Sequence, residues 1–326
     1  MYKPTGNPAG KQLQRSYVRV ISRCGKWNHR HLREKHTMMD SMESTHAYTF
    51  SFNELRAVAS ETVTLTAARI RDKRADLGDM WAYTNTKSSA VDPVTIVDTL
   101  AEDFIANRLQ ELRPEDGLIG EEGTGTPSIS GVTWIVDPID GTVNFVYGLP
   151  QYAVSIAAAI DGEVVAGAVI NVETGVLYSA ARGQGAYKYL PDNDEIVALR
   201  VNGIDDITQC LVATGFGYST TRRAQQAQVL TGVLPVVRDI RRMGSAALDL
   251  CHLADGEVDV YYEHGLSCWD YAAGILIAQE AGARIHAPGL SVPGQSGEIL
   301  YAAPHPVFEA VTDLFDTIGA LTPLQH

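Results

Sequence analysis

An α+β half followed by an α/β half is the fold class that this chain of 326 residues predicts. Three observations carry it. Apolar residues recur at helical spacing in two stretches before residue 113. Short apolar strands separated by turn signals fill 133–189, and past about 195 strands and helices alternate. Period 3.6, period 2 and their alternation are the marks of these two layer types.

The elements follow in order. Ser51-Phe52-Asn53-Glu54 has the S-x-x-E form of a capping box, where hydroxyl and carboxylate satisfy orphan N–H groups. Leu55, Val58, Ala59, Val63 and Ala67 continue the helix to about Arg74. A polar, loop-like stretch, Thr84–Pro93, leads to a second amphipathic helix from about Val94 to Leu112, stopped by Pro114. Gly117–Gly120 is a short apolar strand ending in the pair Glu121-Glu122. Strands at 133–136, 153–160, 164–170 and 176–180 are punctuated by Asp161-Gly162 and Thr174-Gly175. The polar segment Pro191–Ile196 marks the boundary, giving halves at 49–195 and 196–326. Beyond it, Leu211–Ala213, Val236–Ile240 and Val258–Tyr262 read as strands. Ser219–Leu230, Gly244–Ala254, Trp269–Ala281 and Pro306–Ile318 read as helices.

Composition excludes several function classes. An apolar content of 45% is that of an ordinary globular protein, and no apolar run approaches the roughly 18 residues of a membrane span. Cys24, Cys210, Cys251 and Cys268 are scattered without CxxC or zinc-like spacing, which favours a reduced, cytoplasmic setting and argues against thiol chemistry. The net charge of −13 hides an asymmetry. Residues 1–48 hold nine Lys/Arg against three Asp/Glu, a basic leader that reads as a disordered tail, while the remainder stands at −19. A body that acidic is a poor nucleic-acid binder, because phosphate contacts demand Lys and Arg.

One segment stands out chemically. In Trp134-Ile135-Val136-Asp137-Pro138-Ile139-Asp140-Gly141-Thr142 two carboxylates lie three residues apart at an apolar strand end, with Gly-Thr opening a helix beyond. Carboxylates suit a hard cation such as Mg²⁺, and free N–H groups at a helix start suit phosphate. Asp92, Asp98 and Asp270 taken singly are helix caps, and Glu121 and Glu122 a solvated loop. The Asp137–Asp140 pair differs, since two buried acids repel without a compensating cation. His252 and His264 read as packing or surface residues.

Joined, these pieces resemble the inositol monophosphatase family of Mg²⁺-dependent phosphomonoesterases, from about Asn53 to Phe315. The most specific stretches are Trp-Ile-Val-Asp-Pro-Ile-Asp-Gly-Thr-Val-Asn-Phe (134–145) and Cys-Trp-Asp-Tyr-Ala-Ala-Gly (268–274), with Lys87-Ser-Ser-x-x-Asp92-x-Val-Thr-x-x-Asp98 upstream. The resemblance implies a layered αβαβα sandwich, a homodimer, Li⁺ sensitivity and two or three Mg²⁺ ions. It assigns Glu121, Asp137 and the Ile139 carbonyl to one Mg²⁺, with Asp137 bridging to a second held also by Asp140 and Asp270. A third, weaker ion leans on Glu121. Thr142, supported by Asp98, orients the attacking water, and the N–H groups of Gly141 and Thr142 receive the phosphate. Lys87 and Glu122 support the site. Glu263 holds substrate hydroxyls, with Arg241 and Ala246 near the substrate. Gly123 stands where Ser is common and Ser267 where some members have His. The implied activity is hydrolysis of inositol 1-phosphate. The same chemistry on histidinol phosphate or fructose 1,6-bisphosphate is one alternative, and an RNA- or transcription-complex binding protein of the same fold is another.

Overall fold

The computed structural model describes residues 50–87 and 93–326; the basic leader and Asp92 lie outside the described residues. Helix α1 (Phe52–Leu77) begins at the expected capping box, with the Ser51 side chain accepting from Glu54 N and the Glu54 carboxylate accepting from Ser51 N. Its Leu55, Ala59, Val63, Ala67 and Ile70 are buried at intervals of three or four residues, one stripe on one face. The stretch expected as a loop instead pairs two short strands, β1 (Thr84–Thr86) and β2 (Pro93–Thr95). Their alternation is too short and too polar to register as a strand signal.

Helix α2 (Ile96–Leu112) follows, then β3 (Gly117–Gly120), β4 (Gly125–Thr126) and β5 (Val132–Asp140). After the short helix α3 (Thr142–Tyr147) come β6 (Ala153–Ile160), β7 (Glu163–Asn171), β8 (Leu177–Ala181), β9 (Ala186–Leu190) and β10 (Glu195–Ala198). The β6–β7 turn has Asp161 at φ 52° and Gly162 at φ 79°, the left-handed pair that a tight hairpin requires. These strands form one sheet in the order β10-β9-β8-β7-β6-β5-β3-β4, all neighbours antiparallel except β3 and β5. The polar segment 191–196 is therefore the turn into β10, and the chain leaves this sheet after Ala198 rather than at 195.

The second half runs β11 (Leu211–Thr214), α4 (Thr220–Val233), β12 (Asp239–Arg241), α5 (Ala246–Ala254), β13 (Val260–His264), α6 (Cys268–Glu280), β14 (Ala283–His286), β15 (Ile299–Pro304) and α7 (His305–Thr317). Its sheet has the order β12-β11-β13-β15-β14, parallel on the β11 side and antiparallel around β15. Strands β14 and β15 escaped the sequence reading because their apolar runs adjoin strong helical patterns. The strand expected over Val236–Ile240 shrinks to β12, since Leu234–Arg238 turns instead.

Three apolar clusters set the layers. One joins α1 and α2 to the eight-stranded sheet. A second holds α5 and α6 between the two sheets. The third packs α4 and α7 on the outer face of the five-stranded sheet. The result is the αβαβα sandwich. Leu55 and Phe145 are fully buried, and burial of such a side chain contributes about 1.5–3 kcal/mol. Among the described residues no helix is long and apolar enough to cross a membrane.

Candidate active site

Residues three apart on a regular strand point to opposite faces. Asp137 and Asp140 nevertheless share a face, because β5 carries a bulge. Asp137 pairs with Ser155 and Asp140 with Ala153, so three steps on β5 match two on β6. The bulge turns Ile139 into the α1/α2 cluster and leaves both acids on the side of α5 and α6. The Pro138 ring removes a ladder donor at that point. Gly141 then takes φ 92°, and an added Cβ there would lie 2.9 Å from the Gln151 carbonyl oxygen and 3.0 Å from that of Gly244. Only glycine lets the chain turn into α3 so close to the neighbouring loop.

Several helix starts converge here. Asp140 Oδ2 accepts from Ser245 Oγ (2.5 Å) and from Ala247 N (2.8 Å), so the carboxylate caps α5. Asp270 Oδ2 accepts from Ser267 N at 2.7 Å in the capping box of α6. Asp98 does the same for α2, its Oδ2 accepting from Thr95 N (2.9 Å) and Thr95 Oγ1 (2.5 Å). The other oxygen of Asp98 lies 3.2 Å from Thr142 Oγ1, which is also 3.0 Å from the Ile139 carbonyl oxygen. Thr142 thus has one proton and two acceptors. The caps expected of single acids and the convergence expected of a site are the same contacts.

The electrostatics separate this cluster from ordinary caps. Burial raises Asp137 well above the carboxylate range, and the charges of Glu121, Asp140 and Asp270 raise it further. Asp270 is raised by burial and then by Glu121 and Asp140. Asp140 is pushed up to about 6, burial outweighing its bonds from Ser245 and Ala247. Asp98 is pushed up to about 7, again by burial first. Lys87 Nζ bridges Glu121 (2.7 Å) and Glu122 (2.5 Å). Burial pulls this ammonium down, but the two glutamates outweigh it and raise it above its usual range.

Among the described residues no group of three or more His, Cys, Asp or Glu side chains is already drawn together to hold a metal ion. The donor chemistry still fits a hard cation. Glu121, Asp137, Asp140 and Asp270 are all-oxygen, mutually repelling donors, and their repulsion is what a bound cation removes. Glu121, Asp137, Asp140, Asp270 and the Ile139 carbonyl could therefore hold one.

The acids open onto a cleft of about 590 Å³, whose lining includes Lys87, Gly141, Ala246, Glu263 and Trp269. Across it Glu263 rises from β13, with Oε2 accepting from Tyr261 OH at 2.8 Å. An added Cβ on Gly215 would lie 1.9 Å from Glu263 Oε2, so the carboxylate rests on that backbone. Burial pushes Glu263 up to about 7, partly offset by Tyr261 and by Arg242.

One expectation is corrected. Arg241 points to the surface and pairs with Asp239 at 2.7 Å, while Arg242 lines the cleft. The β12 edge strand ends at Arg241, and the chain turns inward only afterwards. The Arg242 guanidinium lies over Gly244, where a Cβ would be 2.4 Å from Nη1. His264 is buried, 2.8 Å from the Ala320 carbonyl oxygen, and His252 contacts Gln151 and Glu257, so both are packing residues. Asp92 lies outside the described residues.

Glu102 was missed. It is buried, and its two oxygens accept from Glu122 N (2.8 Å) and Thr124 N (2.9 Å), bracing the turn that carries Glu121 and Glu122. A Cβ on Gly120 would lie 2.6 Å from that carboxylate. The signal was present: Glu102 stands four residues after Asp98, on the same face of α2.

Comparison with known proteins bears on the family and the fold. The model of the inositol monophosphatase family matches residues 28–316. A relative from Mycobacterium leprae (strain TN), named inositol-1-monophosphatase, is 47% identical over 283 residues, covering 83% of this chain and 96% of its own. A relative from Pasteurella multocida (strain Pm70), named Nus factor SuhB, is 38% identical over 232 residues, 70% of this chain and 85% of its own. The solved structure of Mycobacterium tuberculosis SuhB superposes with a TM-score of 0.72 at 42% identity, covering 83% of this chain and 99% of that one.

Proposed function

The chain belongs to the inositol monophosphatase family and is a phosphatase, and on that footing we propose that it hydrolyses inositol 1-phosphate with Mg²⁺. The observation that carries the substrate is Glu263. It is a half-buried carboxylate facing the cleft across from the acid cluster, where it accepts hydrogen bonds from the hydroxyls of a polyol.

The chain's own residues divide the work. Glu121, Asp137, Asp140, Asp270 and the Ile139 carbonyl are the proposed ligands. Bound Mg²⁺ supplies neutralisation of the phosphate dianion and a lowered pKa for the attacking water. Thr142 Oγ1 donates its one proton to Asp98 or to the Ile139 carbonyl, so its lone pair would accept a hydrogen bond from that water and orient it. The N–H groups of Gly141 and Thr142, and the start of α5 at Ala246, receive phosphate oxygens. Lys87 and Glu122 hold Glu121 in place. A homodimer inhibited by Li⁺ is part of the same proposal.

Phosphate release from inositol 1-phosphate, histidinol phosphate, fructose 1,6-bisphosphate and adenosine 3′,5′-bisphosphate, with and without Mg²⁺, tests it. The expected outcome is Mg²⁺-dependent preference for inositol 1-phosphate. Preference for another ester would keep the chemistry and discard the substrate.

The relative named Nus factor SuhB supports a second reading, a role in a transcription complex. The acidic body of −19 disfavours broad nucleic-acid contact. RNA binding by the full chain, lost on deleting residues 1–48 while phosphatase activity persists, would establish it alongside the first.

A further inference from the structure

The cleft has a far side that the acid cluster does not use. Beyond Glu263 its wall is made by the segment Gly215–Thr220, by Gly265 and Leu266, by Gly294 and Gln295, and by His326. The last of these belongs to a segment that returns across the molecule after α7. The segment is fastened at several points. His264 Nε2, one residue past Glu263 on β13, lies 2.8 Å from the Ala320 carbonyl oxygen. Leu324 N donates to the Gly297 carbonyl at 2.9 Å, and Gln325 N donates to Gln225 Oε1 on α4 at 3.1 Å.

Arg222 ties these pieces together. It is 4% exposed, and no carboxylate partners it among the described residues. Its guanidinium donates to the carbonyls of Gly294 (3.0 Å), Gln295 (2.9 Å) and Leu324 (3.4 Å). Close approach is built in: a Cβ on Gly265 would lie 2.1 Å from Arg222 Nη1, and a Cβ on Gly297 would lie 1.8 Å from the Leu324 carbonyl oxygen. Both glycines have φ 75°. A buried cation held by three carbonyls from two segments fixes one geometry, because each carbonyl gives it a charge-assisted bond.

We propose that His326, carried by the segment 320–326 that Arg222 clamps, forms part of the outer wall of the substrate cleft and sets the size of the alcohol that it admits. This rests on the phosphatase reading. The phosphate end of the substrate meets the acids and the starts of α3 and α5, and its hydroxyls meet Glu263. Whatever extends past Glu263 meets the Gly215–Thr220 segment and His326. A wall anchored at Leu324, which is buried, does not yield to a larger group as a loose tail would. Selection by such a wall acts by exclusion, so it is expressed in KM for large esters.

The test compares the intact chain, a chain ending after Leu324, and His326→Trp. The truncation leaves the Leu324 anchor in place, and the substitution narrows the cleft instead of opening it. The readouts are kcat/KM for glycerol 2-phosphate and for adenosine 2′-monophosphate, and calorimetric binding of ethylphosphonate and of a nucleoside phosphonate. The truncation should raise the large-to-small ratio about fivefold or more through KM, and His326→Trp should lower it by a similar factor. Ratios within about twofold of the intact chain in both folded variants would overturn the proposal, given the size of steric discrimination. If the intact chain hydrolyses neither ester and not inositol 1-phosphate either, the phosphatase reading fails, and the ratio of the two phosphonate affinities alone decides the wall.

Discussion

The two ends of the cleft both present carboxylates, yet in different physical settings. At one end burial raises Asp137, Asp140 and Asp270, and the charge of Glu121 beside them raises them further. At the other end Glu263 is raised by burial to about 7, while Tyr261 and the positive field of Arg242 relieve it. The first arrangement is held in check by Lys87, and a bound cation would satisfy it. The second is a finished hydrogen-bonding pocket. Burial alone therefore does not mark a cation site; what marks it is acids that serve as one another's perturbers.

Asp137→Asn breaks the first end most severely. Removing the acid at the centre of the cluster should lower kcat by about a thousandfold, since loss of cation-borne charge stabilisation is worth several kcal/mol. The same change should stabilise the chelated protein. Asp137, Asp140 and Asp270 have folded pKa values raised above their unfolded ones. The folded state thus binds more protons, and that contribution is complete below about pH 4 and is lost as pH rises through the folded values. In EDTA the melting temperature should fall between about pH 4 and 7 and fall less steeply in Asp137→Asn, as thermal scans across that window would read. A slope shared equally by both proteins would show that the cluster does not govern stability.

Glu263→Gln tests the other end and should leave the cation end alone. The amide keeps one acceptor and loses the charge, so inositol 1-phosphate turnover should fall about tenfold to a hundredfold, the worth of hydrogen bonds to a charged group. Turnover of an aryl phosphate, which offers no hydroxyls, should change much less. Equal losses on both substrates would remove the distinction between the two ends.

The cation end was the more legible in sequence, and for a reason that the residues show. Asp137, Asp140 and Thr142 are carried within six residues, so strand, bulge and helix start are all local. The cap on α6 was likewise readable from Ser267 to Asp270. The far end is assembled from distant segments: Glu263 rests on Gly215, and Arg242 reaches it from beyond β12. No spacing encodes those contacts. Arg241 and Arg242 could not be told apart because their facing depends on where an edge strand of three residues ends. The two halves were anticipated from alternation and the five layers from the family resemblance, whereas β1 and β2 needed tertiary pairing to be seen.

Glu102→Gln acts between the two ends by loosening the Glu121-Glu122 turn. A carboxylate accepts from Glu122 N and Thr124 N together, but an amide turns one N–H₂ toward a backbone donor. Leaving one buried donor without a partner costs about 1–3 kcal/mol. The half-saturating Mg²⁺ concentration should rise several-fold, to an extent set by how much of that cost falls on the loaded state. KM for substrate at saturating Mg²⁺ should stay near its original value. Titration of activity with Mg²⁺ separates the two, and a rise in substrate KM alone would place Glu102 with the far end instead.

The smallest effect belongs to Arg241→Ala. Its ion pair with Asp239 is exposed on both sides, and surface pairs of this kind contribute about 0–1 kcal/mol. Activity should remain within about twofold, since among the described residues no contact leads from this side chain to the cleft. Arg242→Ala beside it should raise KM, because that guanidinium lines the cleft and lowers the cost of ionising Glu263. Steady-state kinetics of the two variants compare neighbours that differ in facing rather than in chemistry. A larger loss from Arg241 than from Arg242 would reverse their assignment and move the charged wall of the far end to the other side of β12.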